Sequence, residues 1–72
     1  MNNLNVAKIQ LNGDPYEINS SMNLSGLLNK LKIQKNKVAI EVNGEIVQKD
    51  KYESLVLKKG DKVEIVHFIG GG

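Results

Sequence analysis

Four leucines set the terms for what this chain can become. Leu24, Leu27, Leu28 and Leu31 recur at i, i+3, i+4 and i+7, the apolar stripe of one amphipathic helix of about three turns. The segments on either side alternate instead, so the stripe must be buried against a sheet. A chain of 72 residues is one domain, and at this length only roughly 60% of the unfolded surface is buried on folding. The core is therefore small, and a large internal cleft is not expected.

Alternation begins at Ala7, Ile9 and Leu11, with Lys8 and Gln10 on the other side, as in a half-buried strand. "NGDP" follows as a turn, and Tyr16 to Ile18 resumes the alternation, which predicts a hairpin. Ser21 or Asn23 is placed to cap the helix, Gly26 weakens it slightly, and Lys30 and Lys32 lie near its negative end. Beyond the polar "QKNK", Val38, Ile40 and Val42 share a face, Asn43-Gly44 signals a tight hairpin, and Glu45 to Val47 returns. "QKDKYESLVL" reads as a surface loop with one helical turn around Tyr52 to Leu55. The last strand, Lys62 to Ile69, is apolar on both faces: Val63 and Ile65 on one, Val66 and Phe68 on the other. Two-sided apolarity places it in the middle of the sheet. The expected architecture is α+β, a mixed sheet of four to five strands with one main helix on one face. Residues 1–5 read as a frayed extension, and nothing remains to cover the second sheet face.

Composition narrows the chemistry. Without cysteine there is no disulfide framework, thiolate zinc site or catalytic thiol, which suits a reducing cytoplasm. No apolar run approaches the roughly 20 residues that cross a bilayer, and "MNNLNVAK" lacks the pattern of a signal peptide, so neither membrane nor export is expected. Ten lysines stand against eight acids with no arginine. The densest basic stretch, Lys30 to Lys37, carries no aromatic, so it reads as solvated surface rather than a nucleic-acid site. His67 is the single histidine, read as packing or rim. Glu41, Glu45, Asp50, Glu53, Asp61 and Glu64 are scattered singly, so neither a metal cage nor an acid/base pair is expected and no residue is assigned a catalytic role.

What remains is the ending "VHFIGGG". Gly70, Gly71 and Gly72 form a flexible tail that directly follows the central strand. A carboxylate accepts a nucleophile only after conversion to a mixed anhydride, for instance with AMP, inside another protein's active site. Glycine threads such a channel and leaves its carbonyl open to attack, because it has no Cβ. The chain thus reads as a substrate: the terminal carboxylate of Gly72 is the reacting group, the glycines form a flexible arm, and the last strand presents Val66 and Phe68 beside it.

The half beginning "VAIEVNGEIVQKDKYESLVLKKGDKVEIVHFIGGG" resembles the ThiS family of sulfur carriers of thiamin biosynthesis. The shared marks are Asn43, Ile46-Val47, Tyr52, the Gly60-Asp61 turn and the apolar strand ending in Gly71-Gly72; "IQLNGDPYEI" and "NLSGLLNKLKI" agree more loosely. The resemblance implies the β-grasp fold of ubiquitin with a flexible Gly-Gly tail. It also implies a cycle in which a ThiF-like adenylyltransferase, using ATP and magnesium, activates Gly72. Sulfur from a cysteine desulfurase or other donor then makes a thiocarboxylate on Gly72, which passes to thiazole synthase; Gly70 and Gly71 would supply reach, and Val66, Phe68 and Ile69 the partner-docking surface. The alternatives are a MoaD-like carrier for molybdopterin synthesis, a carrier for another sulfur-containing product, a protein-conjugating ubiquitin relative, and a ubiquitin-like binding module with an idle tail.

Overall fold

The computed structural model describes residues 5–68. Its elements run β1 (Val6–Leu11), β2 (Asp14–Asn19), α1 (Leu24–Leu31), β3 (Val38–Val42), β4 (Glu45–Ile46) and β5 (Lys62–His67), with 3-10 turns at Lys35–Lys37 and Lys49–Lys51. One sheet has the order β2-β1-β5-β3-β4. The β1–β5 pair is parallel and the other three pairs are antiparallel. β5 is central, as its two apolar faces require. The expected frayed ends fall largely on residues 1–4 and 70–72, and the expected strand end on Ile69, all outside the described residues. Asn5, within the stretch read as an extension, accepts a hydrogen bond from the Ser20 amide at 2.8 Å.

Helix α1 lies over one face of this sheet. Leu24, Leu27 and Leu28 are buried against Ile9, Ile18, Ile40 and Val63, and Leu31 is partly buried against the same core. Each fully buried aliphatic side chain contributes about 1.5–3 kcal/mol relative to exposure. Asn23 caps the helix: its Oδ1 accepts from the Gly26 amide at 2.7 Å. A Cβ at position 26 would stand 3.0 Å from that oxygen, so glycine there makes room for the cap as well as lowering helix propensity. The first two helical amides are also paired, Leu24 N–H to the Leu55 carbonyl and Ser25 N–H to the Tyr52 carbonyl, both at 2.9 Å. No donor at this helix start is left for a ligand. At the other end Lys32 takes a left-handed conformation with φ of 60°, and the Ile33 amide reaches back to the Leu28 carbonyl at 2.9 Å.

Two sequence expectations need correction. The helical turn of the 48–57 segment starts earlier than expected, as a 3-10 turn at Lys49–Lys51, and runs on to Leu55, whose amide donates to the Lys51 carbonyl at 3.0 Å. Tyr52 is instead the largest fully buried side chain among the described residues, and its segment straps the start of α1. β2 also begins earlier than expected, at Asp14, and so includes Pro15 opposite Gln10. That is tolerated because β2 is an edge strand, where a missing N–H need not interrupt a ladder.

Both Asn-Gly turns grip β5 through the asparagine side chain. Asn12 and Asn43 have φ of 50° and 54°, and the glycines after them 89° and 87°. Those angles fit the tight hairpins that join β1 to β2 and β3 to β4. Asn12 Oδ1 accepts from the Ile65 amide at 2.8 Å and its Nδ2 donates to the Ile65 carbonyl at 3.4 Å, which continues the parallel ladder past the end of β1. Asn43 Oδ1 accepts from the Lys62 amide at 2.9 Å, and its Nδ2 donates to Asp61 Oδ1 at 3.0 Å. Asp61 is buried, and its other oxygen accepts from the Lys58 amide at 2.8 Å. Its charge is thereby held by hydrogen bonds where an unpaired buried carboxylate would be costly.

Candidate functional site: the open face of the central strand

Residues of β5 alternate between the two faces of the sheet, so Val63 and Ile65 turn toward α1 while Lys62, Glu64 and Val66 turn away. Val66 is 61% exposed and Phe68, next on the same side, 60%. Ala39 stands directly opposite Val66, and its small side chain leaves the valine uncovered. Ile46, 69% exposed on β4, belongs to the same face through its pairing with Glu41. The outer face therefore presents Val66 and Phe68 beside Ala39, with Ile46 farther along it, next to Glu41.

Phe68 lies beyond the last strand residue yet remains held to the sheet, its amide donating to the Lys37 carbonyl at 2.9 Å. Lys49 Nζ stands 5.5 Å from the centre of the Phe68 ring and donates to the Val38 carbonyl at 3.1 Å. This cation rests on one side of the ring and steadies it without burying it. Beside the patch, Glu41 and Glu64 face each other across the antiparallel pair, where like charges are destabilising. Of the expected docking residues, Val66 and Phe68 are thus brought together on an open surface. Ile69 and the tail Gly70, Gly71 and Gly72 lie outside the described residues.

Other candidates resolve into structure. His67 is an exposed residue at the end of β5, at the rim of the core. Tyr52 is enclosed by the core, and burial raises its phenol pKa above the usual tyrosine value. Asn43, Tyr52 and the Gly60-Asp61 turn, three of the marks that carried the family resemblance, are here parts of the clasp and the strap. Among the described residues no group of three or more His, Cys, Asp or Glu is arranged to hold a metal ion. No helix there is long and apolar enough to cross a membrane. Sequence reasoning missed Asn12 and Ile46: Asn12 looked like an ordinary turn residue, and Ile46 is visible only once β4 is known to pair with Glu41.

The family model described as the ThiS family matches residues 9–72. The chain belongs to the ThiS family. It is 35% identical over 65 residues to the sulfur carrier protein ThiS of Bacillus subtilis, covering 89% of this chain and 98% of that one. The crystal structure of the thiamine biosynthesis protein ThiS from Geobacter metallireducens superposes with a TM-score of 0.79 at 35% identity, over 90% of this chain and 99% of that one. A mixed five-stranded sheet crossed by one helix, shared with that structure, is the ubiquitin-like β-grasp. A thiazole synthase of Magnetococcus marinus is 45% identical over 65 residues, 90% of this chain, although the chain spans only 20% of that protein's length.

Proposed function

We propose that this chain is a sulfur carrier of thiamin biosynthesis, a protein substrate rather than a catalyst, working in the cytoplasm. The carboxylate of Gly72 attacks the α-phosphorus of ATP on a ThiF-like adenylyltransferase, and pyrophosphate leaves. A persulfide sulfur, supplied through a cysteine desulfurase or another donor, then attacks the acyl carbon and displaces AMP. A thiol then attacks the outer sulfur of the resulting acyl disulfide, forming a new disulfide with it and releasing Gly72 as a thiocarboxylate, which donates its sulfur to thiazole synthase. ATP and magnesium belong to the activating partner, and the carrier itself binds no cofactor.

The observation that carries this reading is the family match over residues 9–72, joined to an open apolar end of β5 directly before the glycines. An exposed apolar patch on a small domain marks an interaction site. Val66, Phe68 and Ile69 dock the partner, while Gly70, Gly71 and Gly72 extend into its active site. That a stretch similar to this chain occurs within longer proteins called thiazole synthase supports the pairing of carrier and synthase.

Removal of Gly71 and Gly72 tests the chemistry. The truncated chain is expected to unfold at the same midpoint and to support no pyrophosphate exchange by the activating enzyme. A thiocarboxylate on the truncated chain would refute the proposal.

A further inference from the structure

The sequence contains two Asn-Gly steps, Asn12-Gly13 and Asn43-Gly44, and each sits in a hairpin whose asparagine side chain grips β5. Asn-Gly is also the pairing most open to spontaneous deamidation. The glycine amide nitrogen, with no Cβ on the next carbon to hinder it, attacks the asparagine Cγ. A bond forms between that nitrogen and Cγ, the Cγ–Nδ2 bond breaks, and ammonia leaves with the amide proton. Water then opens the succinimide at one carbonyl or the other, giving aspartate or isoaspartate. The reaction needs no enzyme and no reactant beyond water, but the side chain must rotate out of its hydrogen bonds before it can react.

The two grips differ in what rotation costs. Asn43 holds a short bond at each end, 2.9 Å from the Lys62 amide and 3.0 Å to the carboxylate of buried Asp61. A hydrogen bond to a charged group is roughly twice as strong as a neutral one. Asn12 has one short bond, 2.8 Å from the Ile65 amide, and its leaving nitrogen is held only by a 3.4 Å contact with a neutral carbonyl. From this difference we infer that Asn12 is the modification site of the folded chain and that Asn43 is a protected one.

The products differ in the same direction. An aspartate at position 12 keeps the acceptor for the Ile65 amide and turns the long contact into an oxygen facing the neutral Ile65 carbonyl at 3.4 Å, a weaker repulsion than one between two carboxylates. An aspartate at position 43 sets a second carboxylate against Asp61 at the place of a 3.0 Å hydrogen bond, and two carboxylates sharing a site cannot both stay ionised without penalty. Conversion to aspartate therefore costs the fold less at Asn12, the asparagine left reactive, than at Asn43. Conversion at Asn43 opens the clasp at the start of β5.

The test is ageing of the folded full chain in mildly alkaline buffer, followed by peptide-level mass spectrometry at both steps, with a parallel sample in urea. Asn12 is expected to deamidate several-fold faster than Asn43 in the folded chain, and the two rates are expected to converge in urea. Equal rates in the folded chain, or a faster Asn43, would overturn the assignment. Replacing the partner gives a second readout: Asp61→Ala is expected to raise the rate at Asn43 more than at Asn12. An equal rise at both sites would show general loosening of the fold rather than release of a specific clasp, and would overturn the mechanism.

Discussion

Val63 and Ile65 on the central strand are 1% and 7% exposed, whereas Val66 and Phe68, at most five residues further along, are 61% and 60% exposed. All four are apolar, and what separates them is the face each turns to. The inner pair meets α1 and stabilises the fold. The outer pair meets solvent, so its apolar character is unexplained by folding and is available to a partner. Sequence apolarity on a strand thus has two origins, and only the location of the helix tells them apart.

That contrast can be broken from either side. Ile65→Ala removes inner contacts and is expected to lower the unfolding free energy by about 2–4 kcal/mol, read by urea denaturation. A loss below about 0.5 kcal/mol would mean the inner face is not the core. Phe68→Asp should act in reverse, costing no more than about 1 kcal/mol in stability, the worth of an exposed cation–π contact. It should weaken docking to the activating enzyme by about tenfold or more, as removal of a central aromatic anchor does. A large stability loss with normal affinity would place Phe68 in the core.

Two smaller effects sharpen the picture. Glu41→Gln relieves the repulsion from Glu64 on the outer face and is expected to stabilise the chain by about 0.2–1 kcal/mol in thermal unfolding. Destabilisation would show that the two carboxylates are favourably paired. Tyr52, on the inner side, gives a pH signature. Its folded pKa is raised by burial, so its contribution is complete below the unfolded value of about 10 and is lost as pH rises through that value toward the folded one. Tyr52→Phe should therefore lose less stability than the parent chain in that alkaline window. Parallel profiles would indicate that Tyr52 ionises as freely in the fold as in the unfolded chain.

Much of this was legible in the sequence because it is periodic. The leucine stripe places α1, the alternation places β1 and β3, and the two-sided apolarity of β5 places it centrally. Tyr52 was not legible as core, since one aromatic in a polar, aperiodic segment carries no face. The clasps were hidden for a related reason: Asn12 and Asn43 announce turns locally, while their bonds to Ile65 and Lys62 span long sequence distances. On the candidate site, alternation identified Val66 and Phe68, but Ile46 joined them only through strand pairing.

In the proposed function, the outer face of β5 docks the enzymes that load Gly72 with sulfur. Intact-mass and fragment-ion spectrometry of the chain purified from its own cells tests this most directly. The account predicts a fraction heavier by an oxygen-to-sulfur exchange confined to Gly72, lost in cells lacking the activating enzyme. A chain carrying no such exchange while the activating enzyme and sulfur donor are present and active would contradict it.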